Sequence, residues 1–187
     1  ISLFLNEMYL MTGDKAYLKE MASQLLLHAE KLQDPKTGLW YHGWDNDRIV
    51  NDDKCCMFGW GDNEQQRNNE FWSRGNGWVA MALVNTLHYM PRDMAERKPL
   101  ERLFIKMMDT LKECQDRETG HWYQLPLYLG EKGNFIESSG TAMFAYAMCR
   151  GIEDGILQAK NFIPAVTSAY KNFEKLSIKD KAAYRTV

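Results

Sequence analysis

Two copies of one nine-residue stretch decide how this chain folds. They are Gln33-Asp34-Pro35-Lys36-Thr37-Gly38-Leu39-Trp40-Tyr41 and Gln115-Asp116-Arg117-Glu118-Thr119-Gly120-His121-Trp122-Tyr123. In both, Asp-x-x-Thr-Gly is a good turn, and the short aromatic run after it suits an extended segment. Each copy follows an amphipathic helical pattern and leads through a polar excursion into an apolar one. A repeat at this scale means stacked supersecondary units.

Working outward from the two turns, two kinds of helix alternate. Leu3 to Met11, Trp78 to Met90 and Thr141 to Ile152 are apolar on nearly every side, the pattern of a buried helix. Between them, Leu18, Met21, Ala22, Leu25, Leu26, Ala29 and Leu32 follow helical spacing, as do Leu100, Leu103, Phe104, Met107, Met108 and Leu111. Phe162, Ile163, Val166, Tyr170, Phe173 and Leu176 form the last such face, with Pro164 expected near its first turn. Gly13 ends the first helix and Asp14 is the N-cap of the second; Pro91 closes a later helix and Pro99 opens its partner.

The order inner, outer, inner, outer, inner, outer gives an all-α fold of three helical hairpins. Buried helices inside and amphipathic ones outside describe an α/α toroid. Loops from Trp40 to Asn69 and from Trp122 to Glu137 would then build a site at one rim. Three hairpins do not close such a ring, so residues 1–187 are expected to be part of a single toroid domain, truncated at both ends.

Composition narrows the function classes. The 187 residues carry a net charge of −2, which gives no field for nucleic acid or an anionic membrane. No apolar run reaches the length of a membrane span. Cys55, Cys56, Cys114 and Cys149 show no zinc spacing, and no metal or cofactor is expected. Cys114 and Cys149 fall on apolar helix faces and read as small buried hydrophobes. Aromatic residues make up 12% of the chain, which fits a sugar or another ring-shaped ligand.

Chemistry concentrates at Trp72-Ser73-Arg74-Gly75-Asn76-Gly77-Trp78. Indoles stack on rings, a guanidinium fork matches a carboxylate, and two glycines clear space for a ligand. Arg74 either clamps an anion or pairs with a local acid such as Glu70. Trp72 and Trp78 either face a ligand or fill the core, Trp78 being the stronger candidate for core. His42, among Trp40, Tyr41 and Trp44, is either a hydrogen-bonded loop histidine or a group that orients a hydroxyl or moves a proton. His28, His88 and His121 read as structural. Asp45, Asp62, Glu64, Glu70 and Glu137 are the carboxylates placed near the rim, and no glycosidase pair declares itself among them. Glu137-Ser138-Ser139-Gly140 reads first as a helix N-cap with a tight helix contact at Gly140, and second as part of the site.

Three segments in order resemble the unsaturated rhamnogalacturonyl hydrolases of glycoside hydrolase family 105, related to the family 88 unsaturated glucuronyl hydrolases. They are Thr37 to Asp45, Glu70 to Trp78 and Glu137 to Phe144. The resemblance implies an (α/α)6 toroid acting on pectin-derived oligosaccharides that end in a 4,5-unsaturated uronic acid. It implies that one Asp protonates C4 and helps water attack C5, after which the hemiketal collapses and the glycosidic bond breaks. It also implies substrate-binding roles for His42, Trp72, Arg74 and Trp78. The catalytic Asp would lie just upstream of Ile1, so no catalytic residue is expected in this chain and the piece alone is expected to be inactive. The segment Asn46 to Asn69 matches none of the family's motifs. Two alternatives stand beside this reading: a non-catalytic carbohydrate-binding toroid, and an unsaturated glucuronyl hydrolase acting on glycosaminoglycan products.

Overall fold

The computed structural model describes residues 2–44 and 67–179, with side chains through Phe173. Six helices follow in chain order: α1 (Ser2–Thr12), α2 (Ala16–Leu32), α3 (Ser73–Tyr89), α4 (Arg97–Glu113), α5 (Ser138–Glu153) and α6 (Ala159–Lys179). No strand occurs among the described residues, only isolated bridges such as Gln33–Trp40 and Tyr123–Ile136. The all-α expectation therefore holds. The inner helices α1, α3 and α5 pack side by side, and each carries its outer partner, α2, α4 or α6.

Local chemistry sets the ends of these helices. Gly13 takes the left-handed conformation at φ 70°, and the Asp14 carboxylate accepts the Ala16 N–H at 2.8 Å, so α1 stops and α2 starts where the sequence indicates. Three starts lie earlier than the apolar runs suggest. Helix α3 begins at Ser73 rather than Trp78, α5 at Ser138 rather than Thr141, and α6 at Ala159. Polar and glycine residues supply those first turns, which apolar patterning does not see. Pro164 is consequently inside α6 and not in its first turn, where its missing N–H leaves the Lys160 carbonyl without an intrahelical donor.

The core lies between the two rows of helices. Leu18, Met21, Leu83, Leu87, Leu100, Phe104, Met107, Met108, Phe144 and Met148 are fully buried there, each contributing about 1.5–3 kcal/mol of apolar transfer. Helix α1 departs from the expectation of burial all round. Among the described residues it packs mainly on α2 and α3, and Leu5 and Asn6 are buried while Leu3, Phe4, Leu10 and Met11 are exposed. Cys149 also departs: Cys114 is buried and its thiol is pushed up to about 11 by burial, but Cys149 is exposed in an open groove between α5 and α6.

The repeated turns agree bond for bond. Asp34 Oδ2 accepts the backbone N–H and hydroxyl of Thr37 at 2.8 and 2.6 Å, and Asp116 Oδ2 accepts those of Thr119 at 2.8 and 2.7 Å. Gly38 and Gly120 both take positive φ, 76° and 71°, as the left-handed position requires. Each turn leans on the next outer helix. The Thr110 hydroxyl of α4 donates to the Thr37 carbonyl at 2.6 Å, and Gln115 Nε2 donates to the Ala165 carbonyl of α6 at 2.8 Å. The turns therefore set the spacing of the hairpins and leave the residues just after each turn beside the N-termini of α3 and α5.

Candidate functional site

The first turns of α3 and α5 capture the chain leaving each repeat. Asn76 is the main clasp: its Oδ1 accepts the Trp40 N–H at 2.8 Å and its Nδ2 donates to the Trp40 carbonyl at 2.9 Å. In the second copy the Thr141 hydroxyl accepts the Trp122 N–H at 3.1 Å. Trp40 and Trp122 are both buried, which fixes the residues that follow them. His42 is thereby delivered to the entrance of α3.

Three of the four expected site residues come together there. The His42 ring meets the Trp72 indole in a T-shaped contact, centroids 5.0 Å apart. The Arg74 guanidinium carbon lies 4.4 Å from the centre of the same indole, a cation–π contact. Gly75 lies against this assembly: a Cβ there would be tight against Trp72 Cε3 at 3.2 Å and in ordinary contact with His42 Nδ1 at 3.5 Å. Trp78 stands apart from the cluster. It lies one turn beyond Arg74 on the same face of α3, and is 56% exposed, so it does not fill the core.

The second glycine serves a different purpose from the one expected. A Cβ on Gly77 would lie 2.6 Å from Met143 Sδ, so this glycine lets α5 close on α3 and clears no space for a ligand. Gly140 meets the tight-contact expectation, since a Cβ there would lie 3.2 Å from the Ser73 carbonyl carbon.

Arg74 does pair with an acid, but the partner is Glu137 and not Glu70. Arg74 Nη1 donates to Glu137 Oε1 at 3.0 Å. Glu137 is the N-cap of α5 and accepts from the backbone N–H groups of Ser139 and Gly140 and from the Ser139 hydroxyl at 2.6 Å. Its side chain is 1% exposed, whereas that of Arg74 is 33% exposed. One end of the ion pair is locked in the protein and the other reaches solvent. Glu70 instead accepts from the Tyr128 hydroxyl at 3.2 Å, and that bond raises the Tyr128 pKa. The loop bearing Tyr128 is tied to α3 as well, through the Ser73 hydroxyl donating to the Tyr123 carbonyl at 2.6 Å.

The remaining candidates separate cleanly. His121 is buried, 3.2 Å from the Ala169 carbonyl and against Phe173, and burial lowers its pKa. His88 lies 2.9 Å from Asp154, and His28 2.7 Å from the Gln24 carbonyl. Asp45, Cys55, Cys56, Asp62 and Glu64 lie outside the described residues, as does most of Asn46 to Asn69. No group of three metal-ligating side chains occurs among the described residues.

Chemically, the cluster offers a partly exposed cation on an aromatic face, an imidazole at its edge and a second indole one turn away. A cavity of about 100 Å³ lies behind it, lined in part by Trp40, His42 and Trp72. Both of those indole N–H groups lack an acceptor among the described residues. This space holds about three waters and is too small for a sugar ring. Reading the sequence alone misses Asn76, Tyr128 and the Arg74–Glu137 pair. A second internal correspondence, Ser73-Arg74-Gly75-Asn76 against Ser138-Ser139-Gly140-Thr141, carries the signal for Asn76.

Comparison with known proteins places the chain in a family. The chain is 37% identical over 101 residues to an unsaturated 3S-rhamnoglycuronyl hydrolase of Formosa agariphila, covering 54% of this chain and 26% of that protein. It is 25% identical over 132 residues to the unsaturated rhamnogalacturonyl hydrolase YesR of Bacillus subtilis, covering 71% of this chain and 33% of that one. A family 105 glycoside hydrolase structure from C. acetobutylicum superposes with a TM-score of 0.80 at 27% identity, covering 93% of this chain and 46% of the other. The three hairpins thus share the helical toroid fold of these neighbours. The chain spans less than two thirds of the length of the curated relatives it matches. Residues 2–186 match Glycosyl Hydrolase Family 88, and the chain belongs to that family.

Proposed function

We propose that this chain supplies the uronate-binding wall of an enzyme that hydrates 4,5-unsaturated uronyl residues at the non-reducing end of oligosaccharides. The observation that carries the reading is the Arg74–Trp72–His42 cluster, with Arg74 held by a buried carboxylate yet open to solvent on its other side. A guanidinium so placed has donors left for the ligand's carboxylate. Trp78, on the same helix face, provides a surface for the sugar ring. His42 is within reach of a ring oxygen or hydroxyl resting on Trp72.

The chemistry needs one proton delivered to C4 and one water added at C5, which consumes the C4=C5 bond. Collapse of the hemiketal then opens the ring and releases the leaving sugar. By the resemblance, proton delivery falls to an aspartate before Ile1. The residues described here bind and orient. A pectin-derived rhamnogalacturonan fragment is the proposed substrate; names of relatives that act on rhamnogalacturonyl and rhamnoglycuronyl compounds support an unsaturated uronide in general.

The test is an assay of the full-length protein on unsaturated oligosaccharides from rhamnogalacturonan, 3-sulfated rhamnoglycuronan and glycosaminoglycans. Loss of the conjugated uronate absorbance on the first is expected. Absorbance unchanged on all three would overturn the proposal. Arg74→Ala is expected to lower kcat/KM by about 100-fold, the equivalent of one or two charge-assisted hydrogen bonds. Arg74→Lys should recover little of this, because an ammonium lacks the planar fork.

A further inference from the structure

The geometry points to Glu137 as the positioning residue for Arg74, a role that rests on the functional reading above. As an N-cap alone, Glu137 would need only to accept from the first turn of α5. It does so, through Ser139 and Gly140. Yet the same carboxylate also reaches 63 residues back in the chain to Arg74, and its 1% exposure means that this contact replaces water. A buried carboxylate is stable only when its lone pairs are occupied. Here two backbone N–H groups, a hydroxyl and a guanidinium occupy them.

Consider Arg74 without that partner. It stands at the second position of α3, where the positive end of the helix dipole repels a cation. Its other contact, the Trp72 face, attracts the charge but does not fix the rotation of the guanidinium plane. Glu137 does both: it offsets the local positive potential and engages Nη1, so that the remaining N–H donors point along one direction. Gly140 and Ser73 set the distance between the two, because α5 approaches the start of α3 at a position where only a glycine fits without displacement.

This assignment separates capping from positioning by chain length. Asp is at least as good an N-cap as Glu, so Glu137→Asp keeps the charge and the cap of α5. One methylene shorter, its carboxylate withdraws from Arg74. The experiment compares full-length native protein, Glu137→Asp and Glu137→Gln on the unsaturated oligosaccharide that the native protein cleaves, with thermal midpoints measured alongside. The expected result for Glu137→Asp is a KM raised about tenfold with kcat within about twofold of native, as for loss of a uniform binding contact, and a lowered midpoint, because the buried carboxylate loses one of its partners. In an Arg74→Lys background the same substitution is expected to add nothing further to KM, because the group it positions is gone. A Glu137→Asp enzyme with native KM overturns the role, whatever the behaviour of Glu137→Gln. So does a KM increase that persists in full in the Arg74→Lys background. A native protein inactive on every unsaturated uronide overturns the functional reading instead, which keeps the two failures apart.

Discussion

The entrances of α3 and α5 are built to one plan and put to different uses. Both place Ser first, Gly third and a backbone-binding polar residue fourth: Ser73, Gly75 and Asn76 in α3, Ser138, Gly140 and Thr141 in α5. The residue before each helix differs. Glu137 caps α5 with its own side chain, whereas Trp72 makes no side-chain cap for α3. At α5 the capping residue and the third and fourth positions are buried. At α3 the cap position is given to an indole that holds Arg74 and His42, and the missing electrostatic partner is borrowed from α5. The difference teaches that one entrance is closed into the scaffold while the other leaves a cation beside an indole partly open to solvent, the two joined through a single carboxylate.

The largest effect that would sharpen this comparison concerns the fourth positions. Asn76→Ala strands both the N–H and the carbonyl of the buried Trp40, at a cost of about 2–4 kcal/mol. Thr141→Val frees the Trp122 N–H and removes one of two donors to the Glu137 carbonyl, which keeps the Thr141 N–H, at a cost of about 1 kcal/mol. Chemical denaturation of both variants checks the order; equal losses would break the claim that Asn76 is the main clasp.

The third positions come next. Gly140→Ala is expected to destabilise by about 1–3 kcal/mol through overpacking against Ser73 and Glu137. Gly75→Ala presses only on the Trp72 and His42 side chains, so its stability loss is expected to be about 1 kcal/mol or less. Its kcat/KM should nevertheless fall further than that of Gly140→Ala. Parallel melts and kinetics read both, and a reversed order in activity would mean that the α3 entrance is scaffold too.

The smallest effect lies in the repeated turn. Burial raises the Asp34 pKa, but hydrogen bonds from Thr37 outweigh it and the net direction is down. A carboxylate depressed in the folded state stabilises above its unfolded pKa, about 3.9, and that contribution fades as pH falls through the lower folded value. The stability gap between native protein and Asp34→Asn should therefore be constant near neutrality and shrink in acid. A gap that widens on acidification would contradict the bonding described for this turn.

What the sequence makes legible follows from range. The Asp34–Thr37 and Asp116–Thr119 bonds span three residues, so composition alone writes them twice and exposes the repeat. Alternation of all-apolar and amphipathic helices is legible for the same reason, since it depends on period and not on partners. The pairing of Arg74 with Glu137 depends on how closely α5 meets α3. That distance is set by Gly77 against Met143 and Gly140 against Ser73, contacts more than 60 residues apart in sequence. Glu70, four residues from Arg74, is the nearer acid in the chain, and the tertiary register decides against it. Trp78, expected at the site with core as the alternative, is exposed on α3; which face of an apolar helix stays open is likewise decided by its neighbours and not by its own pattern.

The most direct test of the central claim follows cleavage and absorbance together in one reaction of the full-length protein with an unsaturated rhamnogalacturonan disaccharide. Hydration of the C4=C5 bond predicts that the chromophore disappears in step with release of the leaving sugar, and that Arg74→Lys slows both equally. Release of that sugar with the chromophore intact would show ordinary glycoside hydrolysis, and would contradict the account.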